Sequence, residues 1–195
     1  MKKIAVFLDR DGTINKDVGY PSRPGQVRIF RASYEAVRRF NQAGLMAIVI
    51  TNQSGIGRGL LTEEDLEGIH RKMLASFARN NARVEAFYYC PHYELSRNPR
   101  YRESCGCRKP NPELALRAAA DFKINLRRSY MVGDKVEDIL FGQNIRATPV
   151  LVLTGSGRES LRELEEAGIE PAYVAEDILA AAKWILEREK RTAAK

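Results

Sequence analysis

The chain has no apolar run approaching the length needed to cross a bilayer, which argues against a helical membrane span. Cysteine is scarce, with three in 195 residues, so a disulfide framework is excluded and a reducing compartment is indicated. Histidine occurs twice and tryptophan once. Repeats, low-complexity tracts and Pro/Gly/Ser linkers are missing, which leaves a single domain spanning 1–195 as the expectation. The first residues are not expected to act as a secretory leader. Two lysines precede the first apolar stretch, but Asp9 interrupts it and no small-residue cleavage site follows. The sequence thus reads as a cytoplasmic protein with no membrane association.

Charge of one sign is in excess, at a formal +7. Much of it lies between Arg97 and Arg108 and in the tail "EREKRTAAK". A solvated basic surface accounts for this, whereas a nucleic-acid-binding module would need a stacking stripe or a basic recognition helix. Neither is evident, so nucleic acid is not the expected partner.

Strand-like and helix-like segments alternate throughout. "KIAVFL" (3–8), "LMAIVIT" (45–51), "VEAFYYC" (84–90), "SYMVGD" (129–134), "PVLVLTG" (149–155) and "AYVA" (172–175) read as strands. Between and after them lie helical segments starting near Ser33, Thr62, Asn111, Val136, Arg158 and Asp177. Asn111 reads as an N-cap with Pro112 at the first helical position. This order predicts an α/β fold with a doubly wound, mostly parallel, Rossmann-like sheet. Ligands in such sheets sit beyond the carboxyl ends of the strands.

The polar residues placed there are Asp9 and Asp11, then Thr51, Asn52, Gln53 and Ser54, then Gly133, Asp134 and Lys135. In "DRDGT" two acids leave a buried strand on the same side. That costs energy unless a cation offsets it, although a turn capped by Asp with Gly12 at positive φ is the plainer alternative. Asp134 would complete an oxygen-rich pocket with Asp9 and Asp11 for Mg²⁺. Thr51 supplies a hydroxyl, Lys109 a point charge and Arg108 a planar fork for phosphoryl oxygens. Together these residues make a phosphoryl-transfer set.

All three cysteines and one histidine fall in the loop 90–109. Cys90-x-His92 followed by Cys105-x-Cys107 offers a closed Cys₃His set for structural Zn²⁺. Thiolates disfavour Mg²⁺, so two different metals are implied. Free thiols are the plain alternative; an iron–sulfur cluster lacks a fourth cysteine. The intervening "ELSRNPRYRES" is too polar to order itself, so the metal would hold Arg108 and Lys109 in place.

"FLDRDGTIN", "ITNQSG", the lysine of "CRKPNP" and "VGDKVED" resemble the ordered motifs of haloacid dehalogenase-like phosphatases. Within that family the chain is most similar to the heptose bisphosphate phosphatases, with histidinol-phosphate phosphatases as near relatives. The resemblance implies that Asp9 is the nucleophile and Asp11 the acid and base. It assigns Mg²⁺ to the Asp9 carboxylate, the Asp11 backbone carbonyl and Asp134, and the transferring group to Thr51 and Lys109. Arg108 and Lys135 would contact substrate; Asp17, Val18, Gly19 and Tyr20 would line the sugar; Gln53 and Ser54 would form the site floor. Too few residues separate Asp11 from Thr51 for a large cap, so an open site is implied. The implied substrate is D-glycero-D-manno-heptose 1,7-bisphosphate, cleaved at its 7-phosphate for lipopolysaccharide precursor synthesis by a monomeric enzyme. Histidinol phosphate, a nucleic-acid 3′-phosphate and a zinc-stapled nucleic-acid-binding role are the competing readings. Lys135 stands where many relatives carry a second acid, and Asp138 one turn on is a supporting candidate.

Other features are read as structural. His70 lies on an amphipathic helix and Trp184 in the last apolar helix, both suited to packing. The glycines of "SGIGRG" do not follow the first strand as a dinucleotide fingerprint requires, and "GSGRES" lacks a P-loop lysine.

Overall fold

The computed structural model describes residues 2–193; Met1 and the last two residues of the basic tail lie outside the described residues. The first strand β1 (Ala5–Leu8) is buried along its whole length. Its alternation serves two cores at once. Val6 and Leu8 pack with α1 (Arg31–Gln42), α2 (Glu63–Arg79) and α6 (Ile178–Ala193), while Ala5 and Phe7 face α3 (Glu113–Phe122) and α4 (Val136–Asn144). A strand buried on both faces has no polar positions to spare, which is why it reads as an unbroken apolar run.

The remaining strands are β2 (Met46–Asn52), β3 (Val84–Cys90), β4 (Tyr130–Gly133), β5 (Thr148–Val152) and β6 (Tyr173–Ala175). They form one six-stranded sheet in the order β3-β2-β1-β4-β5-β6. Every pairing among them is parallel, so the sheet is parallel throughout rather than mostly so. The chain winds outward from β1 to β3, then returns across the sheet to β4. That return places the switch point between β1 and β4, where Asp9 and Asp134 emerge. Among the described residues, no helix is long and apolar enough to cross a membrane.

Several boundaries differ from the sequence reading, those of most strands by a residue or two at either end. Lys3 lies outside β1, in an isolated bridge to Ile124, and 153–155 lie beyond β5 in a turn with Gly155 at φ +57. Helix α3 starts at Glu113 with Pro112, not Asn111, in the cap position. The Asn111 side chain is occupied elsewhere: its Nδ2 donates to the Cys105 carbonyl at 2.8 Å and braces the cysteine loop. Thr62 caps α2 as expected, its Oγ1 accepting from Asp65 N at 3.1 Å. His70 is buried and stacked on Phe87, with ring centroids 4.2 Å apart. Trp184 is only half-buried, stacked on Tyr173 at the edge of the first core.

Candidate active site

Asp9, Asp134 and Asp138 each bring a carboxylate oxygen within 4.8 Å of the others. Asp9 follows β1 directly and Asp134 follows β4, so the central sheet pairing sets their separation. Asp134 fits a tight cradle: a Cβ on either Gly12 or Gly155 would lie 2.2 Å from its Oδ2. Both glycines have positive φ, at +91° and +57°, so neither position tolerates a side chain. Thr13 Oγ1 donates to Asp134 Oδ1 at 3.0 Å and the Ser156 N–H to Oδ2 at 2.9 Å.

Lys109 enters this cluster from the β3–β4 crossover. Its Nζ donates to Asp9 Oδ1 at 2.6 Å, Asp138 Oδ1 at 2.5 Å and the Ile50 carbonyl at 3.0 Å. All three ammonium protons are thereby used. The Asn52 side chain fixes the lysine backbone from both sides, accepting from Lys109 N at 2.9 Å and donating to Lys109 O at 3.2 Å. Asp138 has its second oxygen on the Lys135 N–H at 3.1 Å. Asp138 therefore braces Lys109 from the first turn of α4.

The Asp11 carboxylate does not join the cluster. The strand ends at Leu8, and the chain turns so that Asp11 faces Arg10, Asn15 and Gln53. Arg10 is fully buried and pairs with Asp11 Oδ2 at 2.7 Å, while Nη1 lies 3.4 Å from His70 Nε2. Burial pushes the Asp11 carboxyl up, but Arg10 and the hydrogen bonds from Arg10, Asn15 and Gln53 outweigh it and hold it below the ordinary range. Burial beside Arg10 drives His70 down to about 3, leaving it a neutral acceptor. Gln53 Nε2 also donates to Thr51 Oγ1 at 2.9 Å, which leaves the Thr51 hydroxyl proton available to another acceptor.

Burial pushes Asp9 up to about 6 and Asp134 up to about 7, with repulsion among the three acids adding to it and Lys109 opposing it at Asp9. Hard oxygen donors whose charges are under-compensated fit Mg²⁺. The linkage has a definite sign. Between about pH 4 and 7 the folded chain holds protons that the unfolded chain has lost, so stability without a divalent ion falls as pH rises through that window. A bound cation requires the ionised forms. The rise in Tm on adding Mg²⁺ should therefore grow from about pH 5 to about pH 7.5. Thermal scans with and without the ion measure this, and a constant or shrinking rise would contradict it.

The cysteine loop converges as its spacing predicts. Cys90 Sγ lies 3.4 Å from Cys105 Sγ and 3.6 Å from His92 Nδ1. Cys107 Sγ lies 3.1 Å from Cys105 Sγ and 3.2 Å from His92 Nδ1. Three sulfurs and one imidazole nitrogen thus surround one point, a donor set that fits Zn²⁺. The outward Nε2 of His92 meets Glu103 at 3.0 Å, which fixes Nδ1 as the inward nitrogen. Cys90 and Cys107 are buried in the second core, so the loop is anchored at both ends. Its far side is tied to α2 through Glu63, which accepts from Tyr101 at 2.7 Å and pairs with Arg100 at 3.1 Å.

The rim carries the other residues singled out from the sequence. Lys135 is half-buried, its Nζ 3.8 Å from Asp17 Oδ2, and Asp17 Oδ1 accepts from Gly19 N at 2.9 Å. Val18 and Tyr20 are exposed on that loop, and Ser54 is half-buried. Arg108 is exposed and lines a hollow of about 360 Å³ whose wall also includes Lys109. Sequence reasoning passed over Arg10, Thr13 and Asn15. Arg10 left a trace in the sequence, a cation between two acids at the end of an apolar strand, but nothing local shows that it is buried.

Fold order, acid cluster and buried lysine define the haloacid dehalogenase-like phosphatases, and a family model described as HAD-hydrolase-like matches residues 106–181. A D-glycero-beta-D-manno-heptose-1,7-bisphosphate 7-phosphatase of Pasteurella multocida is 40% identical over 156 residues, covering 80% of this chain and 84% of the relative. The corresponding phosphatase of Thermosynechococcus vestitus is 35% identical and covers 95% of this chain and 96% of the relative. The chain belongs to this heptose-1,7-bisphosphate 7-phosphatase family. The crystal structure of the D,D-heptose 1,7-bisphosphate phosphatase from B. bronchiseptica, complexed with magnesium and phosphate, is 33% identical. It superposes with a TM-score of 0.83 over 95% of this chain and 99% of that one.

Proposed function

We propose that this chain hydrolyses the 7-phosphate of D-glycero-D-manno-heptose 1,7-bisphosphate through an aspartyl-phosphate at Asp9, supplying the heptose precursor of lipopolysaccharide. The observation that carries the reading is Asp9 at the switch point, held at 2.6 Å by a buried lysine that two further elements brace. The substrate is that of relatives aligned over most of the chain.

An Asp9 carboxylate oxygen attacks phosphorus and the bond to the sugar C7 oxygen breaks. Asp11, ionised while Arg10 and Gln53 hold it, takes up a proton from solvent when the substrate displaces those partners, and passes that proton to the leaving alkoxide. Water then attacks the phosphorus, Asp11 accepts its proton, and the bond to Asp9 breaks to release phosphate. Lys109 trades its contact with Asp9 for a phosphoryl oxygen, and the Thr51 hydroxyl donates to another. Mg²⁺, held by the Asp9 carboxylate, Asp134 and the Asp11 backbone carbonyl, supplies charge neutralisation for the phosphoryl oxygens. Asp17, Val18, Gly19 and Tyr20 line the sugar side, Asn52, Gln53 and Ser54 lie beneath it, and Arg108 and Lys135 contact the substrate from the rim.

A phosphate-release panel tests this with both anomers of the heptose bisphosphate, histidinol phosphate and a 3′-phosphorylated oligonucleotide. The heptose bisphosphate should have the highest kcat/KM by at least about tenfold. Equal or faster turnover of histidinol phosphate or the oligonucleotide would reject the substrate assignment.

A further inference from the structure

Arg10 and His70 form a buried pair to which the chemistry above gives no role of its own. The Arg10 side chain is fully buried between Asp11, its neighbour in the turn after β1, and His70 of α2. Its Nε donates to Asp11 Oδ2 at 3.0 Å, and its Nη1 lies 3.4 Å from His70 Nε2. A guanidinium can only donate, so Nε2 is the acceptor and the imidazole proton sits on Nδ1. The ring is held by its stack on Phe87 of β3, with centroids 4.2 Å apart and planes 21° apart.

Asp11 is at rest in this arrangement. Asn15 Nδ2 donates to its Oδ1 and Gln53 Nε2 to its Oδ2, each at 2.9 Å. Arg10 supplies the charge, but its grip is incomplete. Nη2 lies 2.7 Å from Asp11 Oδ2, yet it is not aligned to donate there and has no hydrogen-bond partner among the described residues.

A carboxylate held in this way can be exchanged. The obstacle is what its departure leaves behind, because a buried charge stripped of its partner is strongly unfavourable. Of the two hydrogen bonds that Arg10 makes through its side chain, the one to Asp11 is then lost and the one to His70 remains.

We propose that His70 is a positioning residue for the reaction, holding the Arg10 guanidinium while Asp11 leaves it to exchange protons with the leaving group and with water. This rests on the reading of Asp11 as acid and base. The 3.4 Å contact is long while Asp11 shares the guanidinium, and it shortens when Asp11 swings away. Without the imidazole, Arg10 keeps Asp11 as its one hydrogen-bonded partner, and Asp11 stays at rest. Both proton transfers then slow, while substrate binding is unaffected.

His70→Phe keeps a ring on Phe87 and removes the acceptor. It should lower kcat for the heptose bisphosphate about tenfold and leave KM within about twofold. His70→Gln, whose Oε1 can take the place of Nε2, should recover most of that loss. Ile69→Val alters packing on the same helix and no hydrogen bond, so it should lower Tm and leave kcat as it was.

p-Nitrophenyl phosphate separates the two proton transfers. Its phenolate leaves without a proton, whereas hydrolysis of the aspartyl-phosphate still needs a base. In His70→Phe, first-turnover release of nitrophenolate should match the wild type, and the fraction of enzyme trapped with Asp9 phosphorylated should rise at least about threefold. His70→Leu makes the same comparison if the Phe variant does not fold. An undiminished kcat, equal slowing of both steps, or a Gln variant no better than the Phe variant would make His70 a packing residue and overturn the proposal alone. Wild-type enzyme that forms no adduct at Asp9 would instead reject the aspartyl-phosphate reading on which the proposal stands.

Discussion

Asp9→Asn should lower kcat by about 10⁴-fold or more while the protein stays folded. The amide keeps the shape of the carboxylate but has no oxygen nucleophilic enough to attack phosphorus. The fold should survive because Lys109 keeps Asp138 Oδ1 at 2.5 Å and the Ile50 carbonyl at 3.0 Å. Removing one of three crowded acids also relieves repulsion on Asp134. Tm should therefore fall by no more than a few degrees, and Mg²⁺ should raise it less than in the wild type. Acid-quenched mass analysis of wild-type enzyme during turnover should place the phosphoryl adduct at Asp9. An Asn variant with more than about a hundredth of wild-type kcat, or an adduct at another residue, would remove the nucleophile from the mechanism.

The legible parts of the molecule are those in which local sequence and global position coincide. β1, β2 and β4 are buried along almost their whole length, so their sequences are largely apolar, and the polar residues that close or follow them, Asp9, Thr51 and Asp134, had to be at the sheet's carboxyl edge. The cysteine loop was legible for a different reason, since four soft ligands in two close pairs have few other uses. Arg10 and Asp138 were harder to read. Arg10 is fully buried against groups that include His70 of α2, a contact sixty residues apart in the chain. Asp138 reads as an ordinary first-turn acid of α4, and only the crossover that delivers Lys109 turns it into a brace. Asn111 misled because an Asn before Pro is a common helix start, whereas its amide here is taken by Cys105.

Loss of the zinc site should be the second large effect, and Cys105→Ser isolates it. Cys105 is the half-exposed ligand, whereas Cys90 and Cys107 also fill the second core, so this change removes a ligand with little cavity formation. Structural zinc sites contribute about 10–16 kcal/mol of binding free energy in small peptides. Losing only about 4 kcal/mol of that would lower Tm by roughly 8–16 °C in a chain of this size. Activity should fall by about 10²-fold, the cost of displacing a catalytic group by about 1 Å. The group displaced is Lys109, which follows the last ligand by two residues. Asn52 grips its backbone at 2.9 Å and Asp138 its ammonium at 2.5 Å, but both grips assume that the chain arrives from a fixed Cys107. Zinc content, Tm and kcat should fall together, and added zinc should not restore the variant. Protein stripped of zinc that keeps wild-type kcat and Tm would show that Asn52 and Asp138 hold the lysine without help from the loop.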